Sequence, residues 1–414
     1  MSRQKSDREL EQFQDRLEYQ EDNLRVFVAD ILPKDLEIRE NMTDRMIELE
    51  NLVNTYGWVV IVKHIQNKSV PDYNTFIWEW RLDDIIEEMV EKKSNILILW
   101  NILKPSQIFK VNEKLKPIWA KAWDRVDLIL KIFEKNAFSK EAKLQIELAS
   151  IKHMWPRIFD MGMELWKQWW KWQGETNTEI MKRHLQKREI AIKKDLNVFA
   201  KVRAQHRQSR VKKWMQTVWI VGYTNAWKST LTNILTKKWV LAEDKLFATL
   251  GTSVWKMFIP ATYEEETYKY IPAKEILIND TIGFIRELPP KLVEAFKSTL
   301  EDSIESDLLL HIVDCSDPKV SIKLNVVDEI LENIWADQKK IYVFNKIDWL
   351  EKEEYIEETN EYIDDKKVFS EKKYKNKIEF LKQKYSKFNN IFISAKDNIG
   401  IEELKNLIVK NLDK

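Results

Sequence analysis

Eight consecutive residues, Gly222-Tyr223-Thr224-Asn225-Ala226-Trp227-Lys228-Ser229, have the spacing G-x-x-x-x-G-K-[ST] of a phosphate-binding loop, with Trp227 where the second glycine belongs. In such a loop the backbone wraps the phosphates and successive N–H groups turn inward to bind them. Lys228 would neutralise the β- and γ-phosphates, and the hydroxyl of Ser229, followed by Thr230, suits a magnesium ion. Glycine serves at the second position because it turns freely and leaves room for the ligand. An indole there is expected to block phosphate approach. Either the site is dead, or the residue written as tryptophan stands in place of another.

Four further motifs follow in order. Asp280-Thr281-Ile282-Gly283 comes directly after an apolar run. An aspartate there can hold a magnesium-bound water, and the Gly283 N–H can approach a γ-phosphate; together they sense hydrolysis. Asn345-Lys346-Ile347-Asp348 also follows an apolar run, and its aspartate can accept both N–H bonds of guanine. Adenine lacks that donor pair, so the motif favours GTP over ATP. Ser394-Ala395-Lys396 suits backbone contact to the guanine oxygen. Thr249, in Phe247-Ala248-Thr249-Leu250, stands between the phosphate loop and Asp280, where a magnesium-sensing threonine belongs. Each motif alone is modest; the set in this order describes a guanine-nucleotide switch.

Strands must present these motifs at their ends. Thr217 to Val221 reads as the strand entering the phosphate loop, and a helix starts at Lys228. Ile276–Ile278, Leu308–Val313 and Ile341–Phe344 read as buried strands, Ile391–Ile393 as the last strand, and Glu402–Leu412 as the last helix. Nearer the N-terminus, Arg25–Leu32, Val59–Val62 and Asn95–Leu99 read as strands. Glu37–Val53 and Arg81–Lys93 read as helices between them, an α/β layer pattern. From Ser139 to about Val211 the pattern becomes two long helices, an antiparallel hairpin whose second helix is basic. Residues 181–213 hold twelve Lys and Arg against Glu189 and Asp195. The expected organisation is an N-terminal helical extension (1–24), an α/β subdomain (25–135), the helical hairpin (136–213) and a Ras-like P-loop domain (214–414). A charged insertion at 351–390 is expected to be helical and outside the core sheet.

The chain has 414 residues, enough for two or three domains, and a formal net charge of only +1, which excludes a uniformly basic nucleic-acid coat. Its single cysteine, Cys315, excludes an intrachain disulfide and a thiolate zinc cluster. No apolar run reaches the roughly 20 residues of a membrane span, and MSRQKSDREL lacks the apolar core of a signal peptide. The expectation is a cytoplasmic monomer, with peripheral contact to a membrane left open.

Residues around the motifs narrow the family. Val240-Leu241-Ala242-Glu243-Asp244-Lys245-Leu246-Phe247-Ala248-Thr249-Leu250 resembles the first switch region of HflX-type GTPases. Asp280-Thr281-Ile282-Gly283-Phe284-Ile285-Arg286-Glu287-Leu288-Pro289 resembles the second. Phe76-Ile77-Trp78-Glu79-Trp80-Arg81-Leu82 is similar to that family's Tyr-Ile-Gly-x-Gly-Lys-Leu, and Lys143–Leu148 and Gly174–Glu179 are similar to its hairpin signatures. The resemblance runs over residues 25–350 and 391–410.

It implies an N-terminal α/β subdomain and helical hairpin ahead of the GTPase domain. It also implies a partner, the large ribosomal subunit and its RNA, and a role in splitting or rescuing stalled ribosomes. The expected cofactors are GTP or GDP and magnesium, with Ser229 and Thr249 as ligands and Asp280 acting through water. Asn225 matches the asparagine that holds potassium in related cation-activated GTPases, so potassium is a further expectation; the bland reading is a loop hydrogen bond. Phe284 stands where Ras-like proteins place a water-orienting glutamine, which implies slow intrinsic hydrolysis. Three departures stand out. The family's extra C-terminal domain is not expected after the last helix, the loop at 166–174 is short, and the 351–390 insertion has no assigned role.

Eighteen tryptophans against seven glycines remain to be explained. An average glycine share of ~7% would give roughly 29, and the two residue types together come close to that. Trp227 falls on a phosphate-loop glycine, Trp78 and Trp80 on the paired glycines of the N-terminal signature, and Trp58 beside Gly57. Trp169, Trp170 and Trp172 fall in the hairpin loop. Trp239 precedes the first switch, and Trp335 and Trp349 sit at turns. Few of these positions suit core aromatics. One reading is that UGA codons, glycine in the source organism, are written as tryptophan. The other is genuine tryptophan, with a Trp-Trp-Lys-Trp loop stacking on RNA bases and a disabled nucleotide site.

Overall fold

After its first residue, strand β1 (Arg25–Leu32) is buried along its whole length, as a parallel strand covered on both faces should be. The computed structural model describes residues 25–32, 36–68, 70–168, 177–212, 215–236, 253–263, 270–271, 273–280, 283–284, 306–350, 355–363, 366–374 and 376–413. They fall into two units that divide between Leu196 and Asn197. The expected N-terminal extension (1–24) and the tryptophan-rich hairpin loop lie outside the described residues.

In the first unit, β1 pairs in parallel with β2 (Val59–Asn67) and β3 (Ile96–Leu99), and β3 with β4 (Lys121–Asp124), in the order β2-β1-β3-β4. One helix follows each strand in sequence: α1 (Leu36–Tyr56), α2 (Glu79–Glu91), α3 (Pro105–Leu115) and α4 (Arg125–Asn136). Leu82, Ile85 and Met89 of α2, at three- and four-residue spacing, pack with Phe27 and Leu97 of the sheet. At the start of α4, Asp124 accepts from the Asp127 N–H at 2.9 Å and Asp127 accepts from the Asp124 N–H at 3.0 Å. That reciprocal pair satisfies two N–H groups which the helix start would leave open.

Two long helices complete this region, α5 (Lys140–Gln168) and α6 (Asn177–Lys212). Arg188 of α6 donates to Glu147 of α5 through Nε at 2.6 Å and through Nη2 at 2.7 Å. Ile192 is buried, whereas Arg183, Lys187, Lys193, Lys194 and Lys201 are exposed. Among the described residues no helix is long and apolar enough to cross a membrane.

The second unit is built on a six-stranded sheet. Its strands are β5 (Thr217–Gly222), β6 (Ser253–Ile259), β9 (Lys274–Asp280), β10 (Leu308–Asp314), β11 (Lys340–Asn345) and β14 (Asn390–Phe392), in the order β14-β11-β10-β5-β9-β6. Only β6 runs antiparallel to its neighbour. Helices α7 (Lys228–Thr236), α8 (Val320–Asn333) and α10 (Ile401–Leu412) follow strands, and two short strands, β7 (Thr262–Tyr263) and β8 (Tyr270–Ile271), pair with each other. The register sets Gly222 opposite Ile312 and Asp314 opposite Asn345, so the motif-bearing strand ends share one edge of the sheet. That carboxyl edge is where open α/β sheets bind ligands.

Of the 351–390 segment, expected to be helical and outside the core sheet, Lys377–Lys384 is helical and the part before it is a hairpin. Tyr355–Ile363 (β12) and Lys366–Tyr374 (β13) pair as an antiparallel hairpin apart from the main sheet. Tyr355, Ile356, Thr359, Tyr362 and Ile363 along one strand and Val368, Phe369 and Tyr374 along the other are residue types that favour strand over helix. From Lys377 the segment is not an insertion at all. Helix α9 (Lys377–Lys384) buries Phe380 and Leu381 against Val313, Cys315, Tyr342 and Phe344. The tryptophans also divide differently from expectation: Trp58, Trp100 and Trp219 are buried core residues.

Candidate functional site

The phosphate loop begins where β5 ends. Gly222 has φ 155°, and a Cβ there would lie 2.3 Å from the Ile312 carbonyl oxygen of β10, so only glycine lets the two strand ends approach. Asn225 (φ 64°) and Trp227 (φ 62°) then take left-handed backbone, which bends the loop back to the start of α7. The Leu231 N–H donates to the Trp227 carbonyl at 3.0 Å, so Trp227 stands at the helix N-terminus, the position that favours an anion.

Lys228 is buried and its Nζ donates to the Tyr223 carbonyl at 2.9 Å. Burial pushes its pKa down to about 8, against the pull of Asp280. Ser229 Oγ donates to Asp280 Oδ2 at 2.8 Å, so the hydroxyl and carboxylate predicted at the metal meet. A hydroxyl and a carboxylate are the hard oxygen donors that magnesium takes. Gly283 lies against the phosphate loop: a Cβ there would lie 2.7 Å from Lys228 Nζ and 3.0 Å from Thr224 Cα.

Next to it, the Phe284 N–H donates to the Gly222 carbonyl at 3.1 Å and the Phe284 carbonyl accepts from the Thr224 N–H at 2.8 Å. The Phe284 ring is buried with Trp219, Val221, Tyr223 and Leu309. It belongs to the core. Phe247, Ala248, Thr249, Leu250, Thr281 and Ile282, all expected at this site, lie outside the described residues.

The base-side motifs converge from β11 and β14. Asn345 is fully buried; its Nδ2 donates to the Ala226 carbonyl at 3.2 Å and its Oδ1 accepts from the Ala395 N–H at 3.0 Å. One side chain thus ties the phosphate loop to the Ser394-Ala395-Lys396 loop. Ser394 Oγ donates to Asp348 Oδ1 at 2.7 Å, while Asp348 Oδ2 is buried with no hydrogen-bond partner. An orphaned carboxylate oxygen beside an oriented one fits a ligand that brings two N–H groups. Ile347 is half-buried and packs against the Val313–Phe344 cluster, and Lys396 is exposed. Thr230 is half-buried and Asn225 exposed.

Two features escaped the sequence. Lys346 (φ 69°) pairs with Asp314 at 2.7 Å. Its signal was a charged residue ending the apolar run of β10, on the edge the motifs share. Lys346 Nζ also lies 4.9 Å from the Trp227 ring and 5.3 Å from Trp349, and the two indoles meet edge to face at 5.9 Å. The Trp227 indole therefore turns toward the base side of the site. Burial pushes the Cys315 thiol up to about 12, and its Sγ donates to the Asn345 carbonyl at 2.8 Å. Asp124, Asp127 and His153 lie at metal-ligand spacing, but Arg157 already supplies both carboxylates with a cation, at 2.6 and 2.9 Å.

Comparison with known proteins covers both units. Residues 43–134 match the model of the GTP-binding GTPase N-terminal region, 136–210 that of the GTP-binding GTPase middle region, and 217–346 that of the 50S ribosome-binding GTPase. GTPase HflX of Caldanaerobacter subterraneus subsp. tengcongensis is 35% identical over 372 residues, 89% of this chain and 77% of the relative. GTPase HflX of Methanocaldococcus jannaschii is 34% identical over 397 residues, 92% of this chain and 86% of the relative. A crystal structure of SsGBP with GDP shares the fold, with a TM-score of 0.51 at 24% identity over 94% of this chain and 98% of that one.

Proposed function

The chain belongs to the HflX family of GTPases, and we propose that it binds GTP, hydrolyses it with magnesium, and does so on the large ribosomal subunit, splitting or rescuing stalled ribosomes. GTP binding and hydrolysis are the family's activity. The observation that carries the guanine reading is the Asn345 bridge between phosphate loop and base loop, next to the orphaned oxygen of Asp348.

Each residue has a role in that reading. The loop N–H groups around Trp227 and Lys228 hold the phosphates, and the Lys228 ammonium neutralises charge between β and γ. Ser229 and Thr249 would hold magnesium directly and Asp280 through water, and magnesium held there would supply neutralisation of the charge that develops on the phosphates. The Gly283 N–H reports the γ-phosphate, with Thr281 and Ile282 completing that switch. Asp348 selects guanine, and Ser394, Ala395 and Lys396 hold its other edge. Because the Phe284 ring is in the core, no side chain at that position orients the attacking water, and hydrolysis is slow until a partner orders the switches. Asn225 would hold potassium beside the phosphates; equal hydrolysis rates in sodium and potassium would remove that role.

The ribosomal part of the proposal draws on the basic α6, whose exposed lysines and arginines suit phosphate contact. Cosedimentation with large subunits tests it. Binding is expected with a non-hydrolysable GTP analogue and much less with GDP, and it should weaken steeply with salt. Equal pelleting in both nucleotide states would overturn the switch reading. A second reading, a nucleotide-dead ribosome- or RNA-binding module, attaches to the Trp227 indole alone, and GTP binding by chains with tryptophan or glycine at 227 separates the two.

A further inference from the structure

Helix ends carry the clearest sign of what residue 227 is. A Schellman end places one left-handed residue just past a helix, with its N–H and the next N–H donating back into the last turn, and glycine is usual there. Gly57 closes α1 this way: its N–H donates to the Asn54 carbonyl at 3.0 Å, and the residue 58 N–H to Val53 at 3.1 Å. Trp335 makes the same two bonds after α8, to Glu332 at 3.0 Å and from Ala336 to Leu331 at 3.0 Å. Trp119 makes them after the 3-10 turn Lys116–Ile118, to Lys116 at 3.1 Å and from Ala120 to Leu115 at 3.3 Å.

Their φ angles are 62° and 58°, and Trp227 has φ 62°. A bulky residue in this region is an outlier, costly because Cβ crowds its own carbonyl. No burial offsets that cost at the helix ends, since Trp335 is 80% and Trp119 74% exposed. Phe76, Lys93, Asn225, Lys346 and Asn398 also take positive φ. Asparagine tolerates it, Phe76 is buried and Lys346 is paired with Asp314. Lys93 ends α2 with the same two bonds, to Val90 at 3.3 Å and from Ser94 to Met89 at 2.9 Å. The angle therefore counts here together with the excess of tryptophan over glycine. The buried Trp58, Trp100 and Trp219 fill core space and show no such conflict.

We propose that the working protein carries glycine at 119, 227 and 335, because a codon written here as tryptophan is read as glycine in the source cell. The chain's eighteen tryptophans and seven glycines fit that reading. With glycine at 227 the indole leaves the base side of the site, and no side chain at that position crowds a phosphate held by the loop N–H groups. At 119 and 335 the inference is independent of the GTPase reading; only at 227 does it deepen it.

Peptide mass spectrometry of the protein isolated from its own cells tests it. Glycine is expected at all three positions, encoded by UGA in the gene; tryptophan at any of them overturns the proposal. The chain made with tryptophan supplies a second test. Trp335→Gly and Trp119→Gly should each raise Tm by about 2–4 °C, because a strained turn is relieved and little apolar contact is lost. A fall in Tm for both would count as refutation. Trp227→Gly should tighten GTP binding by about tenfold or more, since phosphate-loop N–H bonds become available; unchanged affinity would refute the claim at 227. Failure to bind ribosomes would alter none of these readings.

Discussion

Ser394 Oγ donates to Asp348 Oδ1 at 2.7 Å, which fixes the carboxylate plane and leaves Oδ2 buried without a hydrogen-bond partner. A carboxylate held in this way can only accept. Guanine offers two donors on one edge, and xanthine offers one donor and one carbonyl there. Asp348→Asn is therefore expected to weaken GTP binding by about 100-fold, the loss of charge-assisted bonds, and to improve xanthosine triphosphate binding. Ser394→Ala should weaken both nucleotides by about tenfold without changing the preference. Competition binding with the two triphosphates reads this directly. An Asp348→Asn chain that still prefers GTP would remove Asp348 from the base site.

The contact between Ser229 Oγ and Asp280 Oδ2, at 2.8 Å, makes a different prediction. Ser229→Ala removes a hydroxyl from the predicted magnesium site and leaves the loop backbone intact. GDP affinity in the presence of chelator should be nearly unchanged, because phosphate binding to the N–H groups persists. Magnesium-dependent hydrolysis should fall by about 100-fold or more. Titration of hydrolysis against magnesium separates the effects; a loss of GDP binding in chelator would show the hydroxyl to be structural.

Much of this was legible in sequence because the motifs end strands with an apolar centre. A run such as Leu308–Val313 is buried on both sides, so its length and direction follow from its residue types, and Asp314 must emerge at the edge. The short β4 and the antiparallel β6 had no such run: Lys121–Asp124 is half polar, and Ser253–Ile259 carries Lys256 in its middle. Charge misled at 351–390. The Lys/Glu content suggested helix, whereas cross-strand register and the buried Phe380 and Leu381 decide the structure, and neither is a local property. The Trp227 indole, the Lys346–Asp314 pair and the Asn345 bridge join residues far apart in the chain, and no spacing rule reaches them.

Phe284 occupies the position at which a glutamine would orient water, but substituting one should not accelerate hydrolysis. Its ring lies in the cluster of Trp219, Val221, Tyr223 and Leu309, and its backbone pairs with Gly222 and Thr224. Phe284→Gln would bury an amide among apolar side chains at a cost of about 2–4 kcal/mol. The expected result is a lower urea midpoint with intrinsic GTP hydrolysis no faster than before. Phe284→Leu should recover most of the stability. A rate increase in Phe284→Gln would mean that the side chain can swing to the phosphates.

The first unit holds a charge latch whose pH dependence can be worked out. Arg157 of α5 donates to Asp124 at 2.6 Å and to Asp127 at 2.9 Å, and His153, one turn earlier, lies 3.2 Å from Asp127. Asp124 and Asp127 also form the reciprocal cap of α4, so the latch ties α5 to that helix start. For Asp127, burial works against ionisation, but His153 and Arg157 outweigh it and hold the carboxyl down at about 2, from 3.8. Its contribution is therefore complete above pH 3.8 and lost as pH falls through about 2. The His153 ring is opposed by burial yet raised above 6.5 by Asp124 and Asp127. Its contribution is complete below pH 6.5 and lost as pH rises through the higher folded value. The latch is thus strongest between pH 3.8 and 6.5, and the urea midpoint should decline from pH 6 to pH 9. His153→Gln should flatten that decline while lowering the midpoint at pH 6. Asp127→Asn, which leaves Arg157 short of a partner in a buried site, should cost about 3 kcal/mol at neutral pH. If the midpoint of the His153→Gln chain still falls across this range as the unsubstituted chain's does, His153 does not titrate in the latch.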